Sequence, residues 1–118
     1  MSKPYIFLKI DCEYVQQQFN IRIYLEDVPT LRFSLFNCGI PFTPSSEYTA
    51  NLAYSINEIT HDFTTMTGTI TGDYCEFEIP DDFFDATGDY YCQIYLTSDT
   101  KQITIGHGMI RVLESLFT

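Results

Sequence analysis

Seven carboxylates gather along one stretch of this chain: Asp73, Glu76, Glu78, Asp81, Asp82, Asp85 and Asp89. A hard cation such as Ca²⁺ takes six or more oxygen ligands, and acid-rich loops can supply them. The spacing here matches no calcium loop. Glu76 and Glu78 read instead as the solvent face of a strand, and the aspartates as turn and cap residues. Two histidines come next, in His61-Asp62 and in Gly106-His107-Gly108. Nucleophilic catalysis would need one of them beside a Ser or Cys, with an acid to orient it. No Gly-x-Ser-x-Gly or comparable motif adjoins either. Gly106 and Gly108 read as marks of a bulge or of a close backbone approach. Four cysteines, Cys12, Cys38, Cys75 and Cys92, allow three pairings. Cys75 and Cys92 fall in the apolar phase of their strands and read as small buried hydrophobes. The cysteines contain no Cys-x-x-Cys pair, and their gaps do not resemble a zinc array. The expectation is a protein with no catalytic residue, no metal and no cofactor, and so not an enzyme.

The elements that carry these residues follow from composition and periodicity. A chain of 118 residues is one domain, 1–118, long enough to bury a core without metal or disulfide help. Nine Tyr and ten Phe with no Trp, plus many Ile and Thr, favour pleated, half-buried strands. The formal charge of −10 is spread along the sequence. Six basic residues scattered among sixteen acids form no track for a phosphate backbone, so nucleic acid is excluded as a partner. An anionic membrane surface is excluded for the same reason. A basic protein surface suits the sign. The opening segment, Met1 to Lys9, is too short for a signal-peptide core, and no later run approaches membrane-spanning length. Synthesis in a reducing cytoplasm is expected.

Tyr5-Ile6-Phe7-Leu8-Lys9-Ile10 reads as an opening strand, and alternation is clear in Ile21-Arg22-Ile23-Tyr24-Leu25-Glu26 and in Leu31-Arg32-Phe33-Ser34-Leu35. Asn37-Cys38-Gly39 is a turn in which Gly39 takes a positive φ. Residues 40–46, with two prolines, read as a loop or an edge. Tyr48, Ala50, Leu52, Tyr54 and Ile56 share a phase, and 57–62 reads as a connection. The Thr-rich run 64–71 reads as one strand that Gly72-Asp73 turns into the strand 74–79. Residues 81–86 suggest a single helical turn. Gly88-Asp89-Tyr90-Tyr91-Cys92, with its Tyr two places before a Cys, marks the corner where a sandwich strand begins. Two further strands, 90–97 and 102–112, are joined by Ser98-Asp99-Thr100-Lys101, and 113–118 is a tail or a strand end. The core expected from these phases comprises Ile21, Ile23, Leu25, Leu31, Phe33, Leu35, Leu52, Phe77, Ile79, Tyr90, Cys92, Ile94 and Leu96. Tyr24, Tyr91 and Tyr95 lie in the opposite phase and are the candidate interface residues, since Tyr buries much area at small entropic cost.

From Leu31 onward the order of features resembles a known family. The features are the strand Leu31 to Phe36, Gly39-Ile40-Pro41-Phe42, and Thr67-Gly68-Thr69-Ile70-Thr71-Gly72. They continue through Ile79-Pro80, the Gly88-Asp89-Tyr90-Tyr91 corner, and Ile103-Thr104-Ile105-Gly106 to Leu116. The chain is similar to the N-terminal immunoglobulin-like domain of phage baseplate upper proteins and related tail or head fibre proteins. It departs from them in lacking a long C-terminal fibre region and in adding possible strands within 1–30. The resemblance implies an all-β fold, an immunoglobulin-like antiparallel β-sandwich of seven to nine strands. It also implies a virion structural protein that docks other virion proteins, as a homo-oligomer or as repeated copies in a symmetric particle. Two rival functions come from the residues themselves. One is a small acidic inhibitor that mimics nucleic acid, and the other is a carbohydrate-binding module using exposed Tyr.

Overall fold

A computed structural model of the protein describes residues 4–11, 18–25, 27–55 and 63–114. Cys12, Glu26, His61, the expected connection 57–62 and the tail from Ser115 lie outside the described residues. Every regular element among those described is a strand. Tyr5–Asp11 forms β1, Gln18–Tyr24 β2, Thr30–Asn37 β3, Ile40–Pro41 β4 and Thr49–Ser55 β5. Thr64–Thr67 forms β6, Thr69–Thr71 β7, Tyr74–Glu78 β8, Gly88–Thr97 β9 and Gln102–Leu113 β10. Among the described residues no helix is long and apolar enough to cross a membrane.

The strands make two sheets. The first runs β1-β3-β8-β7, with β4 also against β3, and the second runs β2-β10-β9-β5-β6. β3, β8 and β7 in one sheet, and β5, β9 and β10 in the other, have the neighbours that strands B, E, D and C, F, G have in an immunoglobulin-like sandwich. Two pairings are parallel, β1 with β3 and β2 with β10, where the sequence suggested antiparallel strands throughout. Connectivity explains both. No hairpin joins β1 to β3, because β2 lies between them in sequence and belongs to the other sheet. β1 and β2 are therefore integral, each adding a strand at the margin of one sheet.

The strand count exceeds the expected range because the Thr-rich run is two strands in different sheets. β6 pairs with β5 in the second sheet, and β7 pairs with β8 in the first. The chain changes sheets at Gly68, whose N–H donates to Ala50 O at 2.9 Å. A Cβ there would lie 2.5 Å from Glu76 O and 2.6 Å from the Phe77 ring, so only glycine allows the crossing. β4 is the other addition. It pairs with the end of β3 through Cys38-Gly39, both at positive φ (55° and 78°), as a tight hairpin turn demands. Asp11 secures that turn by accepting the Cys38 and Gly39 N–H groups at 3.0 and 2.8 Å.

Between the sheets lies one apolar core. Phe33, Leu35, Leu52, Phe77, Ile79 and Ile94 are fully enclosed, together with Leu31, Leu96, Ile105, Ile110 and Val112. Of the expected core residues only Leu25 sits outside it. It is half-buried at the margin, because β2 stops at Tyr24 and a tight turn returns Asp27 N–H to Tyr24 O at 2.9 Å.

The corner between β8 and β9 is held by two tyrosines. Tyr90 donates its hydroxyl to Ala86 O at 2.5 Å, the tyrosine-corner bond that the Tyr-x-Cys spacing suggested. Tyr54 donates to Phe83 O at 2.5 Å, and its ring meets those of Phe83, Phe84 and Tyr90 at 4.8 to 5.0 Å. These anchors hold residues 81–86 as one hydrogen-bonded turn, with Phe83 N–H donating to Pro80 O at 3.1 Å, followed by bends, and no helix forms there.

Cys75 and Cys92 are buried free thiols, and Cys38 is exposed. Burial pushes both buried thiols up to about 12 from an ordinary value of 9.0. Each folded-state pKa lies above its unfolded value, so the associated stability is complete below pH 9.0 and is lost as pH rises toward 12. Denaturant melts at stepped pH should show stability falling above that lower limit, by about 1.4 kcal/mol per pH unit for each thiol. At neutral pH a thiol reagent should modify Cys75 and Cys92 only on unfolding. Rapid native labelling of Cys92 would contradict its placement.

Candidate functional site

The outward faces of the two sheets differ. On the first sheet Phe7 stands directly opposite Arg32, and Arg32 opposite Glu76. Glu76 Oε1 accepts from Arg32 Nε at 2.6 Å and forms an ion pair with its Nη2. That bond raises the already high guanidinium pKa, so Arg32 stays charged. Three rings surround the guanidinium, with centroids at 4.2 Å (Tyr74), 5.4 Å (Tyr5) and 5.5 Å (Phe7). Tyr5 and Phe7 are nearly parallel, 13° apart with centroids separated by 5.7 Å. Tyr5 is nevertheless 48% exposed and Phe7 68%. Lys9 sits 5.7 Å from the Phe36 ring on the same face. Aromatic rings around a pinned arginine have the composition of protein-interface hot spots. Sequence reading passed over this face, although Tyr5 and Phe7 do stand out of phase with Ile6, Leu8 and Ile10.

The outer face of the second sheet carries the candidate tyrosines. Register places Tyr91 between Met109 and Ser55, Gln93 between His107 and Ala53, and Tyr95 between Thr104 and Asn51. Gln18 follows His107 on β2. Ala53 gives the centre of this face only a methyl group, and a hollow of about 490 Å³ opens over it. Tyr91, Tyr95, Gln93, His107, Phe63 and Met109 are among its walls. Tyr91 and Tyr95 are half-buried there and do not project. Tyr24 is 44% exposed and lies opposite Leu113 at the far end of β2. The structure therefore brings Tyr91 and Tyr95 together and leaves Tyr24 apart. The row Arg22–Arg111, with Asp89 paired to Arg111 at 2.9 Å, separates them.

Both glycines flanking His107 behave as their spacing suggested. The register of β9 and β10 shifts between Thr104 and Gly106, a bulge. At Gly108 the backbone of β2 passes so close that a Cβ would lie 2.1 Å from Phe19 O. His107 faces Gln18 and Gln93 across the strands. Among the described residues no group of three or more Asp, Glu, His or Cys is placed to hold a metal ion. Asp81, Asp82, Asp85 and Asp89 are exposed around the corner.

These strand neighbours define the class, an immunoglobulin-like sandwich. No protein-family model and no curated protein matches the chain. Among solved structures it is similar to the N-terminal domain of phage TP901-1 ORF48, with a TM-score of 0.65. The match covers 98% of this chain, a span that takes in strands before Leu31, and 100% of that one. At 8% sequence identity the similarity is one of fold.

Proposed function

We propose that this chain is a non-catalytic structural protein of a phage virion, an adaptor or decoration module that docks other virion proteins. The observation that carries this reading is the Tyr5–Phe7–Arg32–Tyr74 face, where rings that would ordinarily be covered stand in solvent around a pinned guanidinium. β1, which bears two of those rings, pairs with β3 at the end of its sheet, so its outer backbone can receive a partner strand. Tyr24 adds a second, smaller contact on the opposite sheet. The fold similarity to a domain of a phage protein supports the setting. A net charge of −10 favours a basic surface on the partner. Copies repeated by symmetry would add weak contacts into firm attachment.

Mass spectrometry of purified particles should find this chain as a stoichiometric component. Phe7→Glu should lower its incorporation about tenfold while shifting the melt by no more than about 0.5 kcal/mol, because Phe7 packs mainly against solvent. Absence from particles, with salt-sensitive binding to a DNA-processing enzyme, would replace this reading by the acidic nucleic-acid mimic.

A further inference from the structure

We propose that the hollow on the outer face of the second sheet is a binding site for a neutral saccharide, independent of the docking face on the first sheet. Three observations converge on that ligand class.

The first is shape. Tyr91 and Tyr95 each stand two residues from Gln93, one on either side, and Ala53 beside Gln93 lowers the floor between them. At about 490 Å³ the hollow lies within the range of small-molecule sites. Its aromatic walls suit the C–H faces of a sugar ring, and rigid Tyr loses little entropy on contact.

The second is charge. The chain carries sixteen carboxylates, yet no carboxylate, ammonium or guanidinium lines this hollow among the described residues. An anionic ligand would meet the field of a −10 protein with no lysine or arginine among the described residues of the wall. A cationic ligand would find no carboxylate to replace its hydration. Against the described walls, a neutral ligand enters without leaving a charge uncompensated.

The third is hydrogen bonding. Gln18, His107 and Gln93 stand side by side across β2, β10 and β9, a row of donors and acceptors that carries amides and an imidazole. The Gln93 amide is already oriented, because its Nε2 donates to Thr104 Oγ1 at 3.2 Å. Asn51, beside Tyr95 but outside the walls of the hollow, is held by bonds to Thr49 O and Thr97 Oγ1 at 3.1 and 2.9 Å. Oriented neutral amides next to aromatic rings match a ligand whose polar groups are hydroxyls, and they reject one lacking them.

The test is a glycan array carrying short neutral hexose and N-acetylhexosamine chains beside sulfated and uronic-acid chains, followed by NMR titration of the purified protein with the best binder. Binding to neutral glycans is expected, with shifts at Gln93, His107 and Tyr95. Ala53→Phe, which fills the hollow from the outer face, and Tyr91→Ala should each weaken it by about tenfold or more. Gln93→Glu, at an exposed position that leaves the core untouched, should do the same, whereas Phe7→Glu on the other sheet should have no effect. The proposal is overturned if no neutral glycan binds, if only the anionic chains bind, or if binding survives both Ala53→Phe and Gln93→Glu. Particle incorporation is measured separately, so the site and the docking reading fail independently.

Discussion

Phe33→Ala should destabilise the protein by roughly 3–5 kcal/mol. Phe33 has no exposed surface, and its ring meets Phe19 of the second sheet at 5.4 Å and Phe77 of its own sheet at 6.0 Å, both edge-on. Removing it deletes buried apolar area and two aromatic contacts, and it leaves a cavity at the junction of β2, β3 and β8. That junction is framed by strands, so its walls cannot collapse far, and the upper half of the range is the expectation. Urea melts of the variant and the wild type at one pH give the difference directly. A loss below about 1 kcal/mol would mean that Phe33 does not face the core.

Gly108→Ala should be nearly as damaging, at about 3 kcal/mol or more, although it adds a single methyl. The new Cβ would lie 2.1 Å from the Phe19 carbonyl and 2.6 Å from its ring. The obstruction is backbone, so β2 must move away from β10. That movement breaks the parallel pairing from Gln18 to Tyr24 and withdraws Phe19 from Phe33. Gly106→Ala is the control. The three atoms nearest its Cβ would all belong to the Ile10 side chain, the closest being the terminal Cδ1 at 3.0 Å, which can rotate aside. It should cost about 1 kcal/mol or less. Equal losses for the two variants would show that β2 does not pass over Gly108 as described.

The parts of this fold that could be read from sequence are those in which a local pattern determines the outcome. Leu31, Phe33 and Leu35 alternate with Arg32 and Ser34, and the pleat alone sends them to opposite faces. Tyr90 and Cys92 sit at corner spacing, and the Tyr90 bond spans only four residues. The sheet change at Gly68 was hidden because threonines on both sides share one composition, and the reason for the glycine lies in the distant Glu76 and Phe77. The Arg32 cluster assembles residues from β1, β3 and β8, so it depends on register, which no single segment encodes. The hollow depends on what is missing at Ala53, and a small residue in an exposed phase gives little signal. The tyrosines proposed as one interface were placed on the correct face of their strands. Their separation into a hollow pair and a lone Tyr24 needed the order of β2, β10 and β9.

The parallel pairing of β2 with β10 has a kinetic consequence. Its two strands come from nearly opposite ends of the described chain, so the loop between them takes in most of the sandwich. Closing so long a loop late, after the hairpins β7–β8 and β9–β10 have formed, is the low-entropy-cost order. During synthesis β2 leaves the ribosome long before β10 exists, and until then Ile21 and Ile23 have no partner sheet. Nascent protein should therefore spend its slowest step with that strand unzipped, the interval in which a chaperone or a neighbouring copy can most easily capture it.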